Sequence, residues 1–152
     1  MKIRLLLTLL FAATTVFIIS SCEKEDEDDD IEISENGDDE SHNMGQNCMN
    51  CHTNGPGEGV FKIAGTVYDT ALVNPNPNGR VEFYDAPTGG NLIYTLEIDA
   101  KGNFYSSENF DFGTGLYPKV ISASGQSRSM NSPFTGGGCA SCHGNTRPRI
   151  GV

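Results

Sequence analysis

The chain has 152 residues and a formal net charge of −10, and most of that charge lies in one short stretch. Residues 22–41 carry twelve acidic side chains and one lysine, whereas residues 42–152 carry eight acidic and seven basic side chains. The part that follows the acidic stretch has about 110 residues, near the usual size of one domain, so a single hydrophobic core is expected. The length therefore argues against more than one folded domain. The charge counts show that this domain is nearly neutral.

Residues 1–21 have the pattern of a secretory signal peptide. A short basic start precedes an apolar run over residues 5–19, which is shorter than the ~20 residues that a membrane-spanning helix needs. The junction Ile19-Ser20-Ser21-Cys22 resembles the lipobox of bacterial lipoproteins, in which the signal is cleaved before a cysteine that is then lipidated. The same small residues also suit ordinary cleavage beside an incidental cysteine.

Residues 22–41, which we call the acidic tether, contain almost no apolar side chain. A segment of this composition buries too little surface to offset its ordering entropy, so we expect it to be disordered and extended. Its acidic run directly after Cys22 resembles the surface-export signal of Bacteroidetes-type lipoproteins, which places them on the outer face of the outer membrane. A plain solvated spacer explains the run equally well.

A five-residue word occurs twice, as Cys48-Met49-Asn50-Cys51-His52 and as Cys139-Ala140-Ser141-Cys142-His143. Cys-x-x-Cys-His is the attachment signature of c-type haem, in which both cysteines bind the haem and the histidine ligates the iron. We call these words the first and second motif, and assign them to attachment segments 42–59 and 131–152. The sequence predicts two covalently attached haems. Their expected binding residues are Cys48, Cys51, His52, Cys139, Cys142 and His143, with His52 and His143 as proximal iron ligands.

Two other uses of paired cysteines stay open. A four-cysteine zinc site also uses two Cys-x-x-Cys pairs, but its pairs are usually about 15 to 20 residues apart, and zinc gives no reason for a histidine after both. Disulfides in such pairs belong to oxidoreductases that carry one pair beside a thioredoxin-like βαβ pattern. No such pattern is evident here.

The sixth iron positions have candidates among histidine and methionine. His42, the only histidine outside the motifs, lies shortly before the first motif, and the alternative is an ordinary surface histidine. Met130 is the preferred thioether candidate and Met44 the next, because a methionine ligand stabilises reduced iron. Met49 lies inside the first motif, and we expect its side chain to point away from the iron.

Between the motifs, apolar side chains alternate with polar ones in short segments separated by turn signals. In the first segment Phe61, Ile63 and Val67 fall on one face, and Lys62, Thr66 and Tyr68 fall on the other. No helical period longer than a turn is evident. Six strands are expected, at Val60–Asp69, Arg80–Tyr84, Asn91–Asp99, Asn103–Ser106, Tyr117–Ser122 and Gln126–Met130. Short strands at regular intervals predict a mainly β domain, a β-sandwich over residues 60–130.

Four short sequences in this region resemble the carboxypeptidase-regulatory or transthyretin-like sandwich. The resemblance covers roughly residues 60–130 and implies a small antiparallel Greek-key β-sandwich, often a structural or carbohydrate-associated module, without catalytic residues to carry over. The sandwich would then be scaffold, and the function would lie in the motifs. The four short sequences are Gly65-Thr66-Val67-Tyr68-Asp69, Gly79-Arg80-Val81, Asp99-Ala100-Lys101-Gly102-Asn103-Phe104 and Leu116-Tyr117-Pro118-Lys119-Val120.

The second attachment segment contains the glycine run 136–138 and two arginines. The glycines let the backbone approach a flat macrocycle closely, or serve only as a hinge. Arg147 and Arg149 would neutralise haem propionates, or be ordinary exposed arginines.

Whether the two motifs meet depends on the number of strands between them. An even number of antiparallel strands brings the entering and leaving chains to the same end, whereas an odd number, as in the seven-stranded family pattern, places the motifs at opposite ends. Opposite ends would allow head-to-tail contacts between molecules to continue an electron path as a filament. A count of six or seven strands leaves both layouts open.

Together these patterns predict a membrane-anchored dihaem c-type cytochrome, exported and lipid-anchored in the outer membrane, that transfers electrons at the cell surface. It would be an electron carrier and not an enzyme, since a peroxidase needs distal acid–base groups beside its haem. Expected partners are redox proteins or an extracellular acceptor, the membrane and a second copy, but no nucleic acid. The alternative is a surface adhesion or glycan-associated lipoprotein whose cysteine pairs bind zinc or form disulfides.

Overall fold

The computed structural model describes residues 41–57 and 59–152. The signal peptide, Cys22 and the acidic tether up to residue 40 lie outside the described residues, so their interpretations stay predictions. Within the described ranges, no helix has the length and apolar character needed to cross a membrane.

Over the described part of the chain there are seven strands, a one-turn helix and a 3₁₀ turn. All six predicted strands are present, and together with the two-sheet arrangement they confirm a mainly β sandwich. The elements are α1 (Met49–His52), β1 (Ile63–Tyr68), β2 (Arg80–Tyr84), β3 (Leu92–Glu97), β4 (Asn103–Ser106), β5 (Tyr117–Ile121), β6 (Ser127–Ser129), the 3₁₀ turn (Cys139–Ser141) and β7 (Ile150–Gly151).

The strands form a three-stranded sheet of order β4-β1-β7 and a four-stranded sheet of order β3-β2-β5-β6. β1 is antiparallel to β4, with Ile63 opposite Ser106, and parallel to β7, with Val67 opposite Ile150. The pairs of the four-stranded sheet are antiparallel. β7 lies past the boundary at residue 130, so the sandwich includes part of the second attachment segment. A two-residue strand is too short to show an alternating pattern.

The main core lies between the two sheets. Its side chains with almost no exposed surface include Ile63, Val67, Val81, Phe83 and Phe104. Burying one such side chain contributes about 1.5–3 kcal/mol to folding. The segments that carry the motifs lie on the sheets that enclose this core.

β1 is buried along its whole length, on both faces. Ile63 and Val67 belong to the main core, whereas Ala64 belongs to a second cluster with Phe61 and Tyr105. The sequence pattern was wrong in grouping Phe61 with Ile63 and Val67. Thr66 and Tyr68 lie on the other face of β1 as expected, and that face is buried as well. It is covered because the first motif packs on it through Cys48 and Met49.

Candidate functional site

Each motif folds as one tight turn with the same backbone hydrogen bonds. The His52 N–H donates to the Cys48 carbonyl at 2.9 Å, and the His143 N–H donates to the Cys139 carbonyl, also at 2.9 Å. In both motifs the N–H of the second cysteine donates to the carbonyl of the first, at 3.1 and 3.2 Å. The shared Cys-x-x-Cys-His sequence therefore forms the same backbone hydrogen bonds in both motifs.

The His52 ring is buried and closely surrounded. Its Nδ1 lies 3.3 Å from the Gly59 carbonyl oxygen, and its face stacks on Phe61 with ring centroids 4.0 Å apart and planes within 1°. A Cβ at Gly57 would lie 2.9 Å from the ring Cε1, so only glycine leaves room there. A carbonyl oxygen only accepts, so Nδ1 carries the proton and Nε2 carries the lone pair that a metal would use.

His143 has the same kind of partner in more open surroundings. Its Nδ1 lies 2.8 Å from the Pro148 carbonyl oxygen, which again assigns the proton to Nδ1. The ring is half-exposed and lines a partly open cleft together with Gly45, Tyr68 and Arg149. The cavity volume of this cleft is about 20 Å³, far below the roughly 300–1,000 Å³ of pockets that enclose small ligands. A macrocycle here would therefore lie mostly outside the protein.

The four cysteines of the motifs are free thiols with unequal access to solvent. Cys51 and Cys142 are exposed, Cys48 is half-buried and Cys139 is buried. Burial raises the pKa of Cys48, and the nearby Asp99 carboxylate and Cys51 thiol add to the rise. Burial, and after it the neighbouring Cys48 thiol, raises the pKa of Cys139 to about 12. The second cysteine of each motif is thus the accessible one.

The two motifs lie side by side against β1. A Cβ at Gly138 would lie 3.3 Å from Met49 Cγ, and Cys48 is near enough to Cys139 to influence its pKa. The Phe61 N–H donates to the His52 carbonyl at 2.8 Å, at the entry to β1. Six strands, β1–β6, lie between the motifs, and the same-end layout expected for an even number is the one found. The opposite-ends layout is therefore wrong, and the returning chain runs beside β1, the central strand of its sheet.

Gly137 explains how the second segment comes so close. The Ala64 N–H donates to the Gly137 carbonyl at 2.8 Å, and a Cβ at Gly137 would overlap the Lys62 carbonyl oxygen. The sequence predicted that the glycine run brings the backbone close to a flat macrocycle. At Gly137 the backbone instead comes close to Lys62 and Ala64, at the start of β1. Gly136 differs, since a Cβ there would meet no atom within 4 Å.

His42 lies beside the first motif. Its ring centroid is 6.0 Å from that of His52, and the planes are tilted by 44°. Three polar side chains of the sandwich, Thr66, Lys101 and Asn103, bond to the loop 41–45 that carries it, and Ser41 of the loop accepts two of these bonds; we call the four residues the polar clamp. Sequence patterns gave them no part in a site, since the clamp joins positions about 20 to 60 residues apart.

The methionine candidates lie in three different places. Met130 directly follows β6, and its N–H donates to the Pro118 carbonyl at 2.9 Å on the four-stranded sheet, whereas both motifs contact the other sheet. Met44 is 49% exposed in the loop that carries His42. Met49 packs on the second hydrophobic cluster. The arrangement adds no support for Met130, which stays a prediction, as does Met44.

The two arginines near the second motif differ in their contacts. The Arg149 guanidinium lies 4.6 Å from the Tyr68 ring centroid and donates from Nη1 to the Leu72 carbonyl at 3.1 Å. Arg147 is exposed. Of the two, Arg149 lines the same cleft as His143 and is the better placed to meet an anionic group there.

The described residues contain no group of three or more His, Cys, Asp or Glu side chains that could hold a metal ion between them. The chain matches no protein-family model, no curated protein and no solved structure. The resemblances to c-type cytochromes, to lipoproteins and to the carboxypeptidase-regulatory sandwich therefore stay predictions.

Proposed function

We propose that the protein is a dihaem c-type cytochrome that transfers electrons. The observation that carries this proposal is the shared geometry of His52 and His143: each ends a turn with the same two backbone hydrogen bonds and bonds a backbone carbonyl through Nδ1. Histidines that ligate metals almost always donate their other ring N–H to a carbonyl or carboxylate, which fixes the tautomer. Haem iron held by such ligands supplies one-electron chemistry when bound.

The thiols fit covalent attachment with one condition. Each thiol would add across one vinyl group of the haem, so that a C–S and a C–H bond form while the S–H bond and the vinyl π bond break, and no oxidant is required. Cys51 and Cys142 are accessible for this, whereas Cys139 is buried in the main core. Cys139 would therefore have to leave the core for its haem to be attached, and its sulfur would stay outside the core while it is bonded to the haem.

The layout favours electron exchange over chemistry on an enclosed substrate. The motifs are neighbours on one sheet, so the groups they bind would be close to each other. The open cleft beside His143 would leave the second group accessible to a redox protein or an extracellular acceptor. Both features support an electron carrier, and not an enzyme with a closed site.

Measurement of bound haem tests the proposal. The full chain, produced in a bacterium that exports it and attaches c-type haem, should show a Soret band, a pyridine haemochrome spectrum and a mass increment of two haems. Replacing both Cys48 and Cys51 with serine should remove one haem, and the same change at Cys139 and Cys142 should remove the other. Purified protein without haem would overturn the proposal, and stoichiometric zinc in its place would support the adhesion or glycan-associated alternative.

We place the protein at the outer membrane, anchored through Cys22. Each buried methylene of an acyl chain contributes about 0.8 kcal/mol to membrane binding, so several chains hold a protein firmly. The intact protein should be in the membrane fraction and be cleaved by protease added to whole cells, while Cys22→Ala should release it with both haems attached. Protection of the intact protein until the outer membrane is broken would place it on the periplasmic side.

A further inference from the structure

The loop that carries His42 is fixed to the sandwich on both sides of this residue. Before it, the buried Ser41 hydroxyl accepts a hydrogen bond from Asn103 Nδ2 at 2.9 Å, and the Ser41 carbonyl accepts one from Lys101 Nζ. After it, the Gly45 N–H donates to Thr66 Oγ1 at 3.0 Å. The position of His42 is therefore set by the sandwich and not only by its neighbours in the chain.

Asn103 is the centre of the polar clamp. Its amide nitrogen donates to the His42 carbonyl at 3.2 Å as well as to Ser41, and its amide oxygen accepts from Thr66 Oγ1 at 2.7 Å. Asn103 is 3% exposed and lies at the start of β4. A buried amide with its oxygen and nitrogen both bonded defines one arrangement of the groups around it.

The clamp also places His42 in relation to the first motif. β4 pairs with β1, and the same two strands supply Tyr105 and Ala64 to the cluster on which the first motif packs. The His52 ring stacks on Phe61, and Phe61 stacks on Tyr105 at 4.7 Å. Contacts that lead to the same two strands, β1 and β4, thus position both histidines.

The separation of the two rings suits one metal ion between them. With metal–nitrogen distances of about 2 Å on each side, two imidazoles that ligate one ion have ring centroids roughly 6 Å apart. The centroids of His42 and His52 are 6.0 Å apart. The chain has three histidines, so a histidine pair at the first motif leaves the second motif with His143 alone.

We infer that Asn103, together with Thr66, is a positioning residue that holds His42 as the sixth ligand of the haem bound by His52. This inference rests on the proposed function. In this arrangement the fold preorganises a pair of histidine ligands, His42 and His52, at the first site. The second site has no histidine opposite His143.

The spin state of the ferric haems tests the inference in the full-length holoprotein. His42→Ala should convert one of two haems to high-spin, and Asn103→Ala should produce the same high-spin haem in a large part of the molecules although His42 is present. Added imidazole should restore the low-spin spectrum in both variants. The matched control is Asn76→Ala, since Asn76 Nδ2 donates at 2.7 Å to the Val152 carbonyl and not to the loop. It should keep the wild-type spectrum.

A second variant and a second measurement cover the case in which Asn103→Ala does not fold. Thr66→Val keeps the shape of the side chain and removes both hydrogen bonds, and should also raise the high-spin fraction. In wild-type holoprotein the amide of Gly45 should resist hydrogen exchange, and that protection should be lost in Thr66→Val. Wild-type spin states in Thr66→Val and Asn103→Ala would refute the positioning role, and an unchanged spectrum in His42→Ala would remove His42 from the site. Protein without any haem would refute the proposed function instead.

Discussion

The two motifs share their backbone turn and differ in what surrounds the histidine. His52 is buried, stacks on Phe61 and has the His42 ring 6.0 Å away. His143 is half-exposed, bonds Pro148 at 2.8 Å and faces an open cleft with Arg149. The five-residue motif thus sets the backbone turn that carries the histidine, while the surrounding strands decide which other groups reach its ring.

This difference would give the two proposed haems different properties. A histidine pair favours ferric iron relative to a histidine–methionine pair, so the first haem should have the lower reduction potential if His42 is its ligand. The second, more exposed haem should exchange electrons more readily with a partner. Electrons would then have a preferred direction through one molecule, without any further cofactor.

The largest expected effect concerns the thiols before haem is attached. Because the pKa of Cys139 is raised from 9.0 to about 12, its thiolate fraction near pH 8 should be about a thousandfold lower than that of an ordinary thiol. In haem-free protein, iodoacetamide should therefore modify Cys51 and Cys142 quickly and Cys139 last, as peptide mass spectrometry can measure. Equal rates at Cys139 and Cys142 would contradict the buried position of Cys139.

The same pKa shift predicts a pH dependence of stability. The folded pKa of Cys139 lies above the unfolded value, so folding favours the neutral thiol, and this contribution is complete below pH 9.0. It should be lost as the pH rises from about 9 towards 12, because the unfolded chain then releases the proton first. Urea unfolding of haem-free Cys139→Ala should show a weaker dependence over this range.

Replacing Phe61 should affect the first motif alone. Phe61→Ala removes the ring that stacks on both His52 and Tyr105, and loss of a buried phenylalanine costs about 3 kcal/mol, roughly a hundredfold in the unfolding equilibrium. Urea unfolding should show the loss, and the spectrum of the first haem should change. The control is Phe112→Ala, since Phe112 contacts Phe110 and Phe134 instead. An equal disturbance of both haems by Phe61→Ala would break the distinction between the motifs.

Gly137→Ala should separate the second motif from β1. The new Cβ would overlap the Lys62 carbonyl oxygen, and such overpacking typically costs about 1–3 kcal/mol, or on the order of thirtyfold in the unfolding equilibrium. The Ala64 amide, which donates to Gly137 at 2.8 Å, should then exchange its hydrogen faster. Gly136→Ala is the matched control, because its Cβ would meet no atom within 4 Å, and it should behave like the wild type.

The smallest expected effect is on reduction potential. His42→Ala should raise the potential of one haem, by about 59 mV for each tenfold loss in the preference for ferric iron, and leave the other haem unchanged. Spectroelectrochemical titration of wild-type and variant holoprotein measures both values. A shift of both haems, or of neither, would contradict the assignment of His42 to the first site.

Local patterns in the sequence determined the strands and the two turns. Alternation over four to six residues located β1 to β6, and the Cys-x-x-Cys-His spacing located both motifs, because these features depend on residues that are near in the chain. Alternation did not predict that the other face of β1 is buried as well, because it reports which side chains share a face and not what later covers that face.

The tertiary structure alone decided that the motifs are neighbours and that His42 lies beside His52. The contacts responsible join Gly137 to Ala64, Asn103 to Ser41, and the two-residue β7 to β1. Each spans about 60 residues or more, and each is made by one or two residues whose identity fits many other positions equally well. Such pairings form only after the sandwich core has brought distant strands together, since the core offsets the loop-closure entropy that isolated contacts cannot.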